Sequence, residues 1–208
     1  MYYELIILGT LMTGPFHGYL IAKIMQNILG PYGKISAGRL YPLLAKLEEG
    51  GLIVVEQVSK QQEHQRHPIP RRSHIPSRRY LITGDGRKRL HDLMMDTTSY
   101  LGEYQKVFLQ KVAYFSFLQP EERLQLIEHY VGYCLSLVSY GNSRTEELAR
   151  SGTESPIGMT SAQLADLLAG MRHKIRQWQQ ELLWAEELRE QVKAIMHPSA
   201  SQESGTET

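Results

Sequence analysis

One stretch of the sequence combines small, basic and aromatic residues at the start of a helix-like pattern. Residues 35–53 read ISAGRLYPLLAKLEEGGLI, and Ala37, Gly38, Arg39 and Tyr41 lie near its beginning. Small residues let a backbone approach another surface closely, whereas an arginine can hydrogen-bond to a phosphate or to a guanine edge. The free N–H groups at the start of a helix also attract phosphate. These residue types therefore indicate contact with nucleic acid.

The rest of this stretch predicts the helix that would position those residues. Its apolar residues recur at helical spacing, at Leu40, Leu43, Leu44 and Leu47. We expect a helix over 37–49, with Ser36 as its N-cap and Gly50-Gly51 as a left-handed stop. Pro42 removes one backbone N–H, which is tolerable near a helix start. An ordinary amphipathic helix could carry the same leucines, so the neighbouring elements decide between the two interpretations.

The neighbouring elements predict a winged helix-turn-helix. In order, they are helices over 2–12, 19–29 and 37–49, strands over 52–59 and 78–83, and a helix capped by Thr83. The segment TGPFHG at 13–18 has the composition of a turn. Three helices and a two-stranded wing place the 37–49 helix in the position of a recognition helix.

The segment between the two predicted strands is basic and cannot form a packed element. Residues 60–76 contain three prolines and three histidines, without apolar periodicity. We expect an extended, mobile wing tip. Its histidines, His64, His67 and His74, could bind a metal, but no carboxylate or thiol stands at a ligand-like spacing, so a solvated basic loop is favoured.

The charges are divided unevenly along the chain of 208 residues. Residues 1–91 hold 13 Lys and Arg against 6 Asp and Glu, a net charge of +7. Residues 92–208 hold 10 against 16, a net charge of −6. This asymmetry predicts different partners for the two halves, with a polyanion for the first.

The second half of the sequence is predicted to be helical. Residues 86–118 suggest one long or broken helix, Pro120 starts another, and Thr160 with Gln163 has the spacing of a capping box. The final helix carries apolar residues in a 4-3 alternation that predicts a dimerisation seam, represented by Leu164, Leu168, Met171, Ile175, Trp178 and Leu182. Residues 151–159 are a predicted linker, and residues 198–208 a predicted disordered tail.

Other functional classes find little support in the sequence. It lacks a phosphate-binding loop, a nucleophile elbow and a paired-histidine metal motif, so we expect no enzyme, no cofactor and no resident metal. Cys134 is the only cysteine and lies in an apolar stretch, which predicts a buried thiol and a reducing cytoplasm. A signal peptide and an apolar run of membrane-spanning length are also missing from the sequence, so we expect no membrane association.

Three segments together resemble the PadR family of bacterial transcriptional regulators. They are HGYLIAKIM at 17–25, ISAGRLYPLLAKLEEGGLI at 35–53 and RRYLITGDGRKRL at 78–90. The resemblance implies a winged helix-turn-helix, a homodimer formed through C-terminal helices and binding to a palindromic operator. It also implies that the protein is a repressor that a small-molecule effector can release from DNA. The long basic wing departs from the family pattern, and the C-terminal part has no motif that indicates a ligand.

These observations lead to a mainly α fold with three parts. We expect a DNA-binding domain over 1–91, a helical dimerisation and effector domain over 92–197, and a tail over 198–208. The residues predicted to contact DNA are Tyr19, Ser36, Ala37, Gly38, Arg39, Tyr41, Pro42, Lys46, Arg71, Arg72, Arg78 and Arg79. A winged-helix module that binds protein or RNA is the alternative, and it would present an apolar patch at the tip of the 37–49 helix.

The net charge of the wing predicts how strongly the affinity for DNA should depend on salt concentration. Residues 60–79 contain six Lys and Arg against one Glu, a net charge of +5. Deleting 63–77 removes Arg66, Arg71 and Arg72 from each chain. If all six arginines of a dimer neutralise phosphates, the slope of log affinity against log salt flattens by about 5 units. Titrations of duplex DNA at several salt concentrations measure this slope, and an unchanged slope would show that the wing does not contact DNA.

Overall fold

The structure is a computed structural model that describes residues 2–30, 35–57, 78–99, 101–151 and 159–196. The chain divides into two compact units, Met1–Tyr114 and Phe115–Thr208. The functional boundary that we predict between residues 91 and 92 lies within the first unit and stays a prediction. The wing tip, most of the linker and the C-terminal tail lie outside the described residues.

The first unit has the predicted order of helices and strands. Its elements are α1 (Tyr2–Met12), β1 (Phe16–His17), α2 (Gly18–Leu29), α3 (Ala37–Glu49), β2 (Ile53–Gln57), β3 (Arg78–Ile82), α4 (Gly84–Met95), a 3-10 turn (Leu101–Glu103) and α5 (Tyr104–Val112). The bounds of α3 agree with the predicted helix over 37–49. The mainly α winged helix-turn-helix architecture is therefore confirmed.

The small sheet has one strand more than the predicted wing. It is antiparallel in the order β1-β3-β2. In β1, Phe16 pairs with Tyr80 and His17 with Arg79, within the segment that we predicted to be only a turn. A strand of two residues has no alternation that a sequence could reveal, and it exists only because β3 offers a free edge for it. The remaining pairs join β2 to β3, from Ile53 with Ile82 to Gln57 with Arg78.

The core of the first unit surrounds α1. This helix buries every residue from Leu5 to Leu11, so it is apolar around its whole circumference. The surrounding elements contribute Ile21, Met25, Leu40, Leu44, Leu47, Ile53, Tyr80, Leu90, Leu93 and Met94 to the same core. A helix that is buried on all sides serves as the central support of a domain rather than as a surface element.

The end of α3 is joined closely to the start of α4. Gly51 has φ of 69°, and the N–H of Leu52 donates to the carbonyl of Leu47 at 2.9 Å, which closes α3 with the predicted left-handed stop. The hydroxyl of Thr83 lies 2.7 Å from the Gly51 carbonyl and accepts from the N–H of Gly86 at 3.0 Å. A Cβ at Gly86 would overlap the carbonyl of Leu52. The predicted Thr83 cap is confirmed, and it also ties α4 to α3.

The helix that we predicted over 86–118 is broken. It stops at Met95, where the carboxylate of Asp96 accepts from the N–H groups of Thr98 at 2.9 Å and Ser99 at 3.1 Å. Such local side-chain bonds compete with helical backbone bonds. Lys111 of α5 is fully buried and donates to the carbonyl of Asp96, and burial lowers the pKa of Lys111 to about 8.

The second unit contains a helical hairpin. After a short 3-10 turn over Phe115–Phe117, it consists of α6 (Pro120–Ser151) and α7 (Ser161–Met196). The predicted capping box is confirmed, since the N–H of Gln163 donates to the Thr160 hydroxyl and the N–H of Thr160 to the Gln163 side chain. Cys134 is buried as predicted, and burial raises the pKa of its thiol to about 11.

The two helices of the hairpin run antiparallel. The hydroxyl of Tyr130 donates to the Glu181 carboxylate at 2.8 Å, whereas further along α6 a Cβ at Gly141 would lie 2.7 Å from Cγ1 of Ile175. Positions that increase along α6 thus meet positions that decrease along α7.

Substitutions at the junction between α3 and α4 should lower the free energy of unfolding. Gly86→Ala should lower the free energy of unfolding by about 1–3 kcal/mol, because its Cβ forces the backbone of Leu52 to move. Thr83→Val removes a helix cap and should cost about 1 kcal/mol. Gly84→Ala is the matched control, since a Cβ there has no neighbour within 4 Å. Urea unfolding measures all three variants, and equal stabilities for Gly86→Ala and Gly84→Ala would contradict the account.

Candidate nucleic-acid interface

The two faces of α3 differ sharply in burial. Leu40, Leu44 and Leu47 are buried, and Leu43 is half-buried. The exposed residues at and after its start are Ser36, Ala37, Gly38, Arg39, Tyr41, Pro42, Ala45, Lys46 and Glu49. All but Ala45 and Glu49 belong to the predicted DNA-contact set. Together they form a surface that is small at the helix start, basic at Arg39 and Lys46, and aromatic at Tyr41.

The predicted N-cap residue, Ser36, stands at the start of α3. Ser36 has the extended backbone of an N-cap residue, but its side chain makes no capping hydrogen bond. Its carbonyl accepts from the N–H groups of Arg39 and Leu40, both at 3.0 Å. Ser36 is therefore the N-cap residue as predicted, but it lacks the side-chain hydrogen bond that such a residue commonly makes. The uncapped first turn leaves its positive dipole end accessible to an external anion.

Pro42 lies inside α3 without ending the helix, which continues to Glu49. The missing N–H belongs to the second turn of α3, so the Gly38 carbonyl in the first turn receives no hydrogen bond from position 42. Pro42 is exposed, so its ring belongs to the same surface as Tyr41.

Two tyrosines lie close to the start of α2. A Cβ at Gly18 would lie 3.0 Å from Cε1 of Tyr41, so Gly18 provides the space in which that ring packs. Tyr41 is nevertheless 48% exposed, and Tyr19, which follows Gly18 directly, is 65% exposed. The glycine thus brings the beginning of α2 next to the exposed face of α3.

Arg39 lies against the first helix of the chain. Its guanidinium carbon is 4.6 Å from the centroid of the Tyr3 ring. Within the described part of the chain, Arg39 has no carboxylate partner. Sequence reasoning missed Tyr3, because only the fold brings α1 and the start of α3 together.

Two of the arginines predicted to contact DNA from the wing, Arg78 and Arg79, lie on β3 and differ in their surroundings. Arg78 is exposed. Arg79 lies opposite Glu56 and forms an ion pair with it at 3.4 Å, with the arginine side chain 34% exposed. Such a pair contributes at most about 1 kcal/mol, so a phosphate could replace the carboxylate. Arg71 and Arg72 lie outside the described residues.

Most of the segment from α1 to α4 is similar in sequence to a known protein family. Residues 7–92 match the family described as the transcriptional regulator PadR-like family. Members of this family are transcriptional regulators and not enzymes. No curated protein matches the chain.

Several solved structures are similar to this chain over most of its length. Bacillus subtilis PadR in complex with operator DNA is 20% identical, with 91% of this chain and 98% of that chain covered and a TM-score of 0.39. The same protein in complex with p-coumaric acid is 18% identical, with 93% and 99% covered and a TM-score of 0.38. The Vibrio cholerae virulence activator AphA is 22% identical, with 93% and 99% covered and a TM-score of 0.33. The similarity to the PadR-like family is carried by residues 7–92.

Two of the predicted dimerisation residues, Ile175 and Trp178, contact α6 of the same chain. Leu168 and Ile175 are buried, whereas Leu164, Met171, Trp178 and Leu182 are half-buried. The ring of Trp178 meets that of Tyr133 edge-on, with centroids 5.7 Å apart. The seam thus forms the hairpin, and its contact with a second chain stays a prediction.

The described ranges contain neither a candidate metal site nor a membrane-spanning helix. No group of His, Cys, Asp and Glu side chains among these residues could hold a metal ion, and His64, His67 and His74 lie outside them. None of the described helices is both long and apolar enough to cross a membrane.

Proposed function

We propose that this PadR-like chain binds duplex DNA sequence-specifically as a homodimer, with the exposed face of α3 in the major groove. The observation that carries this proposal is the division of α3 into a buried leucine face and an exposed face of small, basic and phenolic residues. A protein-docking module would present an apolar patch at the same position. The family match supports transcriptional regulation, and the surface of α3 supports the way in which the DNA is read.

The shape and chemistry of the α3 start suit the major groove. An α-helix with its side chains is about 10–12 Å wide, which is close to the width of that groove. Ala37 and Gly38 are exposed and small, so the helix backbone can approach the floor of the groove. Arg39 then reaches a base edge, because an arginine can hydrogen-bond with both acceptors of a guanine.

The residues around the start of α3 are suited to contacts with the DNA backbone. The exposed hydroxyls of Tyr19 and Tyr41 can each donate to a phosphate oxygen, and Lys46 adds a positive charge on the same face of α3. Arg78 and Arg79 of β3, with Arg71 and Arg72 of the wing, would neutralise phosphates beside the groove. These contacts set the orientation of the protein, and Arg39 sets the sequence that it reads.

The C-terminal hairpin supports assembly into a dimer. Of the residues in α7, only Leu168, Ile175, Ala185 and Val192 are buried in the described chain. Leu183 and Ile195 remain 53% and 59% exposed. A two-helix hairpin cannot enclose a core by itself, whereas two such hairpins form a four-helix bundle. A dimer of this kind would hold two recognition helices about 34–36 Å apart, which requires an inverted repeat in the DNA.

The regulatory outcome that we propose is repression in the cytoplasm. A dimer bound to a promoter excludes RNA polymerase, and a small molecule that binds the dimer more tightly in a conformation unable to bind DNA would release it. Repression and effector control are properties that membership in the PadR family implies, and they extend beyond what the α3 surface supports.

Selection from a pool of duplexes with 30 randomised base pairs tests the proposed function directly. The full-length chain should enrich an inverted repeat with half-site centres about one helical turn apart. Recovery of unrelated sequences, with no common motif after several rounds, would contradict sequence-specific binding. The enriched duplex is called the selected duplex below, and a shuffled version of it is the random duplex.

Substitution of Arg39 should reduce discrimination between the two duplexes. Arg39→Ala should lose about 1–3 kcal/mol of preference for the selected duplex, or about 5- to 150-fold, because it removes a bidentate contact with a base. Tyr41→Phe should lose less, since it removes one hydroxyl. Fluorescence anisotropy with both duplexes measures these preferences. Arg144→Ala is the control, because Arg144 is an exposed arginine of α6 paired with Glu147. Equal losses on both duplexes would show that Arg39 contacts only phosphate.

The dimer can be tested at residues whose replacement leaves the hairpin core intact. Leu183→Glu combined with Ile195→Glu should weaken self-association at least tenfold, because it places charges in an apolar interface. Leu109→Glu is the control, because Leu109 is an apolar residue of α5 with 44% exposure. Sedimentation velocity over a range of concentrations measures the change. A dimer as tight as that of the unsubstituted chain would mean that these faces of α7 are not the interface.

A further inference from the structure

An aromatic ring from α1 lies under the arginine that we propose reads the DNA. Tyr3 belongs to the first turn of α1, and Arg39 belongs to the first turn of α3. The guanidinium carbon lies 4.6 Å from the Tyr3 ring centroid, and Arg39 is exposed to solvent. These helix starts are far apart in the sequence, so the fold alone creates the contact.

The contact restrains Arg39 without using its hydrogen-bond donors. A guanidinium is attracted to the face of an aromatic ring through its charge and its flat surface. Its N–H groups lie in the guanidinium plane and point outward, so they remain available to acceptors at its edge. A carboxylate partner would occupy those donors instead, and the described part of the chain provides none for Arg39.

The Tyr3 ring is itself held in place by its neighbours. Tyr2 meets it edge-on, with centroids 5.6 Å apart and an interplanar angle of 60°. The ammonium group of Lys106, from α5, lies 4.5 Å from the centroid of the Tyr2 ring. The next residues of α1, from Leu5 onward, are buried in the core. The Tyr3 ring is therefore attached to the helix that lies at the centre of the core of the first unit.

We propose that Tyr3 is a positioning residue for DNA recognition, which holds the Arg39 guanidinium in the conformation that contacts a base. A free arginine side chain loses about 2 kcal/mol of conformational entropy when it is ordered in a complex. An arginine that is already restrained on a ring loses less, so binding to the correct sequence is stronger. This proposal rests on the proposed function, and it extends the recognition surface to a residue of α1.

Removal of the aromatic face should weaken specific binding. Tyr3→Leu keeps an apolar side chain at this half-buried position but removes the ring, whereas Tyr3→Phe keeps the ring. An exposed cation–π contact corresponds to about a 2- to 5-fold change in affinity, so a dimer with two such contacts should lose about 4- to 25-fold for the selected duplex. Tyr3→Phe should bind that duplex like the unsubstituted chain. Tyr3→Met serves in place of Tyr3→Leu if the leucine variant fails to fold.

A double-substitution cycle separates positioning from a general structural effect. In the Arg39→Ala background, Tyr3→Leu should change affinity for the selected duplex less than 2-fold, because the residue that it positions is absent. An equal loss in both backgrounds would overturn the proposal and give Tyr3 only a structural role. Tighter binding by Tyr3→Leu would overturn it as well, since the ring would then withhold Arg39 from DNA.

The contact itself can be measured in the free protein by nuclear magnetic resonance. The Arg39 side-chain signals should be shifted upfield by the Tyr3 ring and should lose that shift in Tyr3→Leu but not in Tyr3→Phe. If the shift is present and no duplex is selected, the proposed function fails while the contact stands. If a duplex is selected and the shift is absent, the function stands and the positioning role of Tyr3 is overturned.

Discussion

The close approach of Gly86 to the carbonyl of Leu52 is the constraint on which the first unit depends. At this point the end of α3, the start of β2, the end of β3 and the start of α4 meet. Thr83 joins them, because its hydroxyl bonds to the Gly51 carbonyl and accepts from the N–H of Gly86. A side chain at position 86 would separate the helices. The direction of α3, and with it the position of Arg39, follows from this junction.

Residues in two of the segments that resemble the PadR family are explained by packing within the fold. In the segment at 78–90, Thr83 and Gly86 are required by the junction rather than by contact with DNA. In the segment at 17–25, Gly18 is required because the ring of Tyr41 packs against its backbone. The start of α3 is different, because Ser36, Ala37, Gly38 and Arg39 are all exposed. Thr83, Gly86 and Gly18 thus support the fold, and the exposed start of α3 is the surface that we propose for recognition.

The features that the sequence predicted correctly are those with local causes. The bounds of α3, the left-handed Gly51, the Thr83 cap and the Thr160–Gln163 capping box depend on residues within a few positions of one another. Features created by distant contacts were missed. The strand β1 exists only through its pairing with β3, and the ring of Tyr3 reaches Arg39 only through the packing of α1. The seam of α7 was recognised as apolar, but periodicity cannot tell whether its partner is α6 or a second chain.

The central claim is that the start of α3 lies in the major groove, and cleavage of DNA from that helix tests it most directly. Cys134 is the only cysteine and is buried, so a cysteine introduced by Ala45→Cys would be the only accessible thiol in the chain. Ala45 is exposed on α3 and is not one of the predicted DNA contacts, so the close approach of Ala37 and Gly38 is left intact. With an iron chelate attached, the account predicts two clusters of cuts in the selected duplex, with centres about one helical turn apart. Cuts that are absent, or spread evenly along the duplex, would contradict it.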